Sequence, residues 1–218
     1  MKYIYTQEFY NTENVKLEFC NTNNNIQSIS MKYDNQERHW FCECDKDIVR
    51  YKFVVNGIIR LNDPNAACYV EDEKWEVWSV PGECEVQKPK LSFYNISNNM
   101  SNGVAKSIKK AAYTLDRPLD IYAGADIAHV KGLHSLTYIC FQPDGSIYKL
   151  EECSIGQFEK NEADYEVVFR NHIVATLGRA AEGMWSFQIF LDGKSVVKDY
   201  FVLKRKVINA VSRFQYVM

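Results

Sequence analysis

The stretch YKFVVNGIIRLNDP, residues 51–64, decides the fold class of this chain. Its apolar side chains alternate from Tyr51 to Phe53 and beyond, which is the period of a β-strand with one buried face. The Asn-Gly pair at 56–57 favours a type I′ turn, because both central residues of that turn adopt positive φ. The stretch therefore predicts a β-hairpin. Lys52 alternates with the apolar residues, so its side chain is predicted to project away from the core.

The same alternation recurs along most of the chain, and turn residues interrupt it at intervals of about 8–12 residues. Asp192-Gly193 marks a second hairpin between two strands that are rich in aromatic residues. This pattern is typical of β-sandwiches. The predicted strands are 14–20, 25–33, 39–44, 49–55, 74–80, 90–96, 119–125, 136–141, 146–152, 165–170, 184–191 and 195–203.

Two segments depart from the strand pattern. Apolar residues recur at helical spacing in 104–115, which predicts a short helix there. The tail, 204–218, shows similar spacing, which predicts a second short helix that packs on the body or on a second copy of the chain. A homo-oligomer is therefore one of the predicted associations.

A segment with two prolines and several charges, 81–90, separates the chain into two parts. We place a domain boundary near residue 88. The predicted fold class is all-β, with two immunoglobulin-like β-sandwich domains of the early-set type, 1–88 and 89–218, and one or two short helices.

The composition excludes several classes of partner and location. The formal net charge is −2, so no overall field favours nucleic acid. The sequence contains no apolar run of about 18 residues, so no membrane association is expected. Its first residues do not resemble a signal peptide, and the 7 cysteines are scattered and odd in number. A reducing compartment, the cytoplasm, is the expected location.

No pattern in the sequence predicts catalysis or a metal site. The Cys42-Glu-Cys44 stretch could offer two thiolates, but it has no further ligand at metal spacing, and core packing is the favoured interpretation. His129 and His134 are expected to lie in one solvated loop. Nucleophile, zinc-protease, P-loop and dinucleotide motifs are all missing. We therefore expect a chain that is not an enzyme and has no metal and no cofactor.

The run Tyr51-Lys-Phe-Val-Val-Asn-Gly57, followed by Asn62-Asp-Pro64, resembles the glycogen-binding module family. Modules of this family occur in the β subunit of AMP-activated protein kinase and in branching enzymes. The resemblance covers about residues 14–80 and implies an α-glucan ligand. It also implies that Lys52 makes a sugar contact. The part of the chain after the boundary near residue 88 resembles a generic immunoglobulin-like domain.

Sugar rings stack on flat aromatic side chains, so the remaining site residues are sought among exposed aromatics. Ile59 stands where the family has a stacking tryptophan. The predicted replacements, together with Lys52, are Trp75, Trp78, Tyr33 and Tyr69. Trp75 and Trp78 lie three apart, so one is expected in the core and the other on the surface. The alternative function is a structural or protein-interaction role on the same scaffold, without sugar binding.

Overall fold

The chain is an all-β protein over the residues that the structure describes. This computed structural model describes residues 1–6, 9, 11–83, 88–97, 112–115, 121–156, 165–174 and 180–205. The strands are β1 Lys2–Thr6, β2 Val15–Asn21, β3 Ile26–Ser30, β4 Lys32–Asp34, β5 His39–Glu43, β6 Ile48–Val55, β7 Ile59–Leu61, β8 Cys68–Glu71, β9 Val77–Val80, β10 Lys90–Ser97, β11 Ala112–Leu115, β12 Ile121–Val130, β13 His134–Phe141, β14 Ile147–Ile155, β15 Tyr165–Val174, β16 Gly183–Leu191 and β17 Lys194–Arg205. Among the described residues no helix is long and apolar enough to cross a membrane.

Strands β1–β9 form two sheets, which we call the first half of the molecule. One sheet has the order β1-β5-β4, and the other has the order β3-β2-β6-β9-β8 with β7 paired to β6. The predicted hairpin joins β6 to β7, and Val54 pairs with Arg60. Asn56 and Gly57 adopt φ of 51° and 73°, as the type I′ turn requires.

The two sheets of the first half face each other through aromatic side chains. The rings of Tyr3 and Tyr51 lie 4.8 Å apart at their centroids, and those of Tyr5 and Phe53 lie 5.3 Å apart. Leu17 of β2 is the cross-strand partner of Phe53 and is fully buried. The alternating face of residues 51–55 is therefore the core side of a β-sandwich, as the sequence predicts.

Strands β10–β17 form two further sheets, which we call the second half. Their strand orders are β10-β12-β15 and β11-β17-β16-β13-β14. Alternate residues of β12, β13 and β16, among them Ile127, Tyr138 and Phe187, are fully buried in one cluster between these sheets. The rings of Tyr138 and Phe187 stack with centroids 6.1 Å apart. This half is a second layered β-structure with a core of its own.

The opposite face of the five-stranded sheet packs on the first half. Ile139 and Phe190 belong to the hydrophobic cluster that contains Tyr51 and Phe53. The ring of Phe9 lies 5.2 Å from that of Phe190. Among the described strands no sheet combines residues from both sides of position 88. The domain boundary itself stays a prediction, because the two halves share a buried cluster.

The turn between β16 and β17 touches the first half at backbone level. Asp192 and Gly193 form a two-residue turn with φ of 53° and 82°. A Cβ added to Gly193 would lie 1.7 Å from the carbonyl oxygen of Asn62. Only a glycine lets the two backbones approach this closely. The Asn62-Asp63 segment of the sequence motif is thus a docking point between the halves.

The helix predicted at 104–115 is wrong where the structure describes it. Residues 112–115 form β11, which pairs in parallel with β17, Ala112 opposite Val202. Pairing with a distant strand outweighs the local helical spacing of the apolar residues. Residues 104–111 lie outside the described part of the chain, and so does the predicted tail helix beyond residue 205. The described residues include no helix.

Candidate ligand groove between the two halves

Lys52 is buried at the contact between the halves. It lies on the sheet face opposite Tyr51, as alternation predicts, but its side chain is only 1% exposed. Its Nζ atom lies 2.6 Å from Oε2 of Glu152 on β14. Lys52 therefore projects away from the core that contains Tyr51 and Phe53, as predicted, but into the contact with β14 and not into solvent. Alternation identifies the face of a strand, whereas β14, about a hundred residues further along the chain, covers that face.

The Lys52–Glu152 pair is strongly desolvated. Burial raises the pKa of Glu152, although the charge and the hydrogen bond of Lys52 act to lower it. Asn62 adds a second hydrogen bond, because its Nδ2 lies 3.1 Å from Oε1 of Glu152. Both carboxylate oxygens are therefore satisfied within the contact. A ligand could reach Lys52 only by displacing Glu152.

Trp78 is fully buried, and cations occupy its ring face. The guanidinium groups of Arg50 and Arg60 lie 5.3 and 5.2 Å from the ring, and Lys52 Nζ lies 5.8 Å from it. Its indole N–H donates to Asp72 over 3.0 Å. Such cation–π contacts stabilise the sheet surface. The structure brings the predicted site residues Lys52 and Trp78 together, but as parts of the interior.

The other predicted aromatics lie in three different surroundings. Trp75 is 77% exposed in the turn before β9 and adopts φ of 65°. One tryptophan is thus buried and one exposed, as predicted, although Trp75 lies in a turn and not in a strand. Tyr33 is exposed on β4 and packs on Trp40, with ring centroids 5.2 Å apart. Tyr69 is buried, so its predicted role as exposed stacking surface is not supported by its position.

Buried polar groups around the Asn62-Asp63 segment hold it rigidly. The hydroxyl of Tyr51 donates to Asp63 over 2.9 Å, and that of Tyr69 donates to the Asp63 carbonyl over 2.9 Å. Ser79 accepts from the Asp63 N–H and donates to the Asn62 side chain. Burial raises the pKa of Asp63 despite these hydrogen bonds. The segment that suggested a sugar-binding motif therefore forms scaffold.

His134 and Asp192 form a buried pair beside this segment. His134 Nδ1 lies 2.8 Å from Oδ2 of Asp192, and Nε2 lies 2.7 Å from the carbonyl oxygen of Lys131. Both of these oxygens are acceptors, so both ring nitrogens can donate at once only when the imidazole is protonated. The Ser135 N–H donates to the other Asp192 oxygen over 2.9 Å. The expectation that His129 and His134 share a solvated loop is wrong, since His134 is buried on β13 and His129 lies within β12.

This pair should make stability depend on pH. Burial alone would lower the pKa of His134, but Asp192 and the Lys131 carbonyl outweigh it and raise the pKa above its ordinary value of 6.5. A raised folded-state pKa gives stability that is complete below the unfolded pKa and is lost as the pH rises through the folded pKa.

We therefore expect the free energy of unfolding to fall as the pH rises from about 6 to about 8, near and above the ordinary histidine pKa. Urea denaturation at a series of pH values measures this change. The His134→Gln substitution should remove most of the dependence of the free energy of unfolding on pH in this range. An identical slope in that variant would assign the pH dependence to other groups.

A groove of about 820 Å³ lies where the halves meet. The first half contributes Thr6, Pro64 and Asn65 to its lining. The remaining lining comes from the two residues before β10 and the start of β10, from the last residue of β16, and from the turn and first residues of β17. Those residues are Lys88, Pro89, Lys90, Leu91, Leu191, Asp192, Lys194, Ser195 and Val196. A smaller cavity of about 70 Å³ adjoins it at Lys88 and Asp192 and is also lined by Tyr69, Lys131 and His134.

The groove could not be found from the sequence, because its lining combines segments that are far apart in the chain. Asp192 is recognisable only as a turn residue, and His134 lies 58 positions before it.

Cys42 and Cys44 are buried, as predicted, and burial raises the pKa of Cys42 to about 11. In the described ranges no group of three His, Cys, Asp or Glu side chains could hold a metal ion.

Comparison with known proteins assigns no family. No family model matches the chain, and no curated protein matches it. A Pseudomonas fluorescens alkylpurine DNA glycosylase, AlkC, bound to DNA with an abasic-site analogue, has a TM-score of 0.34 at 14% identity, and the match covers 54% of this chain and 30% of that one. An immunoglobulin-like protein from Pseudomonas aeruginosa has a TM-score of 0.35 at 11% identity, and the match covers 55% of this chain and 99% of that one. A tandem repeat from the extending region of a large adhesion protein has a TM-score of 0.26 at 9% identity, and the match covers 86% of this chain and 40% of that one.

Proposed function

We propose that this chain is a non-catalytic binding protein whose ligand site is the groove between the two halves. In this proposal the halves are immunoglobulin-like domains of the early-set type that meet near residue 88. One observation carries the proposal: a groove of about 820 Å³ has walls from both halves. Sites for small molecules are preferentially found between domains, and they commonly have volumes of about 300–1,000 Å³.

The contacts between the two halves support a preformed site. The Lys52–Glu152 pair and the backbone approach of Gly193 to Asn62 fix one half against the other. A ligand that enters a preformed site loses less free energy to ordering the protein. The sheet face around Lys52 is a poorer candidate, because Glu152 and the cations on Trp78 already fill it.

Amide chemical shifts of the isotope-labelled full chain can locate the site. At least one of ATP, adenosine and maltoheptaose should shift the amides of Leu91 and Val196, which line the groove, when it is titrated into the chain. Shifts confined to Trp75 and Tyr33 would move the site to the exposed aromatics. If none of the three compounds shifts any amide, the proposed function is wrong.

An α-glucan remains a second candidate because of Trp75. Its indole is 77% exposed, and indole is the side chain on which sugar rings stack best. On this candidate Trp75→Ala should weaken the binding of maltoheptaose by about tenfold, a typical loss for a central aromatic contact. Isothermal titration measures the change. Tyr200→Ala, which removes an exposed aromatic side chain of the second half, is the matched control. Equal binding by wild type and Trp75→Ala would remove this candidate.

A further inference from the structure

We propose that the groove binds an organic phosphate, a small molecule that carries phosphate groups on an apolar or sugar body. This inference rests on the proposed function and gives the chemical class of its ligand. Three exposed lysines carry it: Lys88, Lys90 and Lys194 all line the groove. Lys131 lies in the adjoining cavity, which shares Lys88 and Asp192 with the groove.

The positive charge of the groove is not cancelled by its own lining. Among the described lining residues Asp192 is the one carboxylate. Its two oxygens are already engaged by the His134 imidazole and by the Ser135 N–H. The described residues place no carboxylate within ion-pair distance of Lys90 or Lys194. Phosphate oxygens would complete the charge balance, since lysine binds phosphate as a compact point charge.

Lys88 is held in place while it keeps donors for a ligand. Its ammonium group donates one hydrogen bond to the carbonyl oxygen of Pro64 in the first half. An ammonium group has three hydrogens, so two remain available. The ammonium is thereby positioned at the wall of the groove before any ligand arrives, which lowers the entropic cost of binding.

The remainder of the lining fits an organic body and not a bare ion. Leu91, Leu191 and Val196 contribute apolar surface, and Asn65 and Ser195 supply side chains that can hydrogen-bond hydroxyl groups. The volume of about 820 Å³ is much larger than a single phosphate needs. A nucleotide or a phosphorylated sugar combines the charge, the hydroxyls and the size.

Isothermal titration of the full chain with ATP and with pyrophosphate, both without metal, tests the inference. We expect both to bind, and Lys90→Gln/Lys194→Gln to raise their Kd by about tenfold or more, as the loss of two charge contacts implies. The matched control is Lys32→Gln/Lys74→Gln, which removes the same charge from exposed positions outside the groove. The control should bind both probes with a Kd within about twofold of wild type.

Adenosine and maltoheptaose, titrated in parallel, separate the inference from the proposed function. If adenosine binds in the groove as tightly as ATP, the phosphate inference is wrong and the groove still binds a ligand. If ATP, pyrophosphate, adenosine and maltoheptaose all fail to bind, the phosphate inference and the proposed function are both wrong. Equal weakening in the two double variants would show attraction to overall charge, and would overturn the inference.

Lysine acetylation of the wild-type chain provides a second measurement that needs no variant. ATP should slow the modification of Lys90 and Lys194, measured by mass spectrometry, and leave Lys32 and Lys74 unchanged. Equal rates at all four lysines with and without saturating ATP would contradict the proposed site.

Discussion

Gly193→Ala should lower the free energy of unfolding by about 3 kcal/mol or more, through backbone strain and overpacking together. An alanine here must adopt φ near +82°, and its Cβ would meet the Asn62 carbonyl oxygen at 1.7 Å. The Cβ is fixed directly to the backbone of residue 193, and the Asn62 oxygen is a backbone atom. Neither atom can therefore move aside by a change of rotamer. Urea denaturation of wild type and variant at one pH measures the loss.

Gly57→Ala is the matched control for that change. Gly57 occupies the other hairpin with φ of +73°, but a Cβ there would have no neighbour within 4 Å. The control should therefore lose only the cost of the left-handed conformation, about 1 kcal/mol. The close contact between the halves would be disproved as a source of stability if the two substitutions cost the same.

Lys52→Met is the second change with a large expected effect. It leaves the Glu152 carboxylate without its cation at a buried contact, and breaking such a pair typically costs about 3–5 kcal/mol. Because burial already raises the pKa of Glu152, the loss should grow as the pH rises and the carboxylate ionises. Denaturation with urea near pH 5 and near pH 8 measures both effects.

Two further variants test whether the unpaired charge of Glu152 causes the loss of stability in Lys52→Met. Lys52→Met/Glu152→Leu should recover most of the lost stability, because a buried pair can often be replaced by apolar residues. Lys149→Met breaks an ion pair on the same strand, with Glu151, that is exposed to solvent. It should cost less than about 1 kcal/mol. If the double variant is no more stable than Lys52→Met, lost packing of the lysine stem explains the effect.

The sequence predicts local pairing well, because turn chemistry and alternation act between neighbours in the chain. The Asn56-Gly57 and Asp192-Gly193 turns both form as expected. Lys52 shows where this reasoning stops, since what covers a strand face depends on the packing of a distant strand. Tyr69 is buried for the same kind of reason, beside His134.

The candidate site is less predictable than the fold. His134 and Asp192 come together because β13 pairs with β16, and the groove lysines lie just before β10, on β10 and on β17. No short spacing in the sequence reports either arrangement. The strand Ala112–Leu115 could not be predicted from local spacing either, because pairing with the distant strand β17 determines its conformation. Trp75 was identifiable as an aromatic near the end of the first half, but its turn conformation was not.

The shared cluster around Phe190 has a consequence for the order of events during synthesis. Phe9 packs on Phe190, and these residues are 181 positions apart in the sequence. A nascent chain cannot complete the core beneath its first strands until the hairpin near residue 190 has left the ribosome. Phe9 is therefore synthesised well before the residue that encloses it, and a chaperone that shields Phe9 would act during that interval.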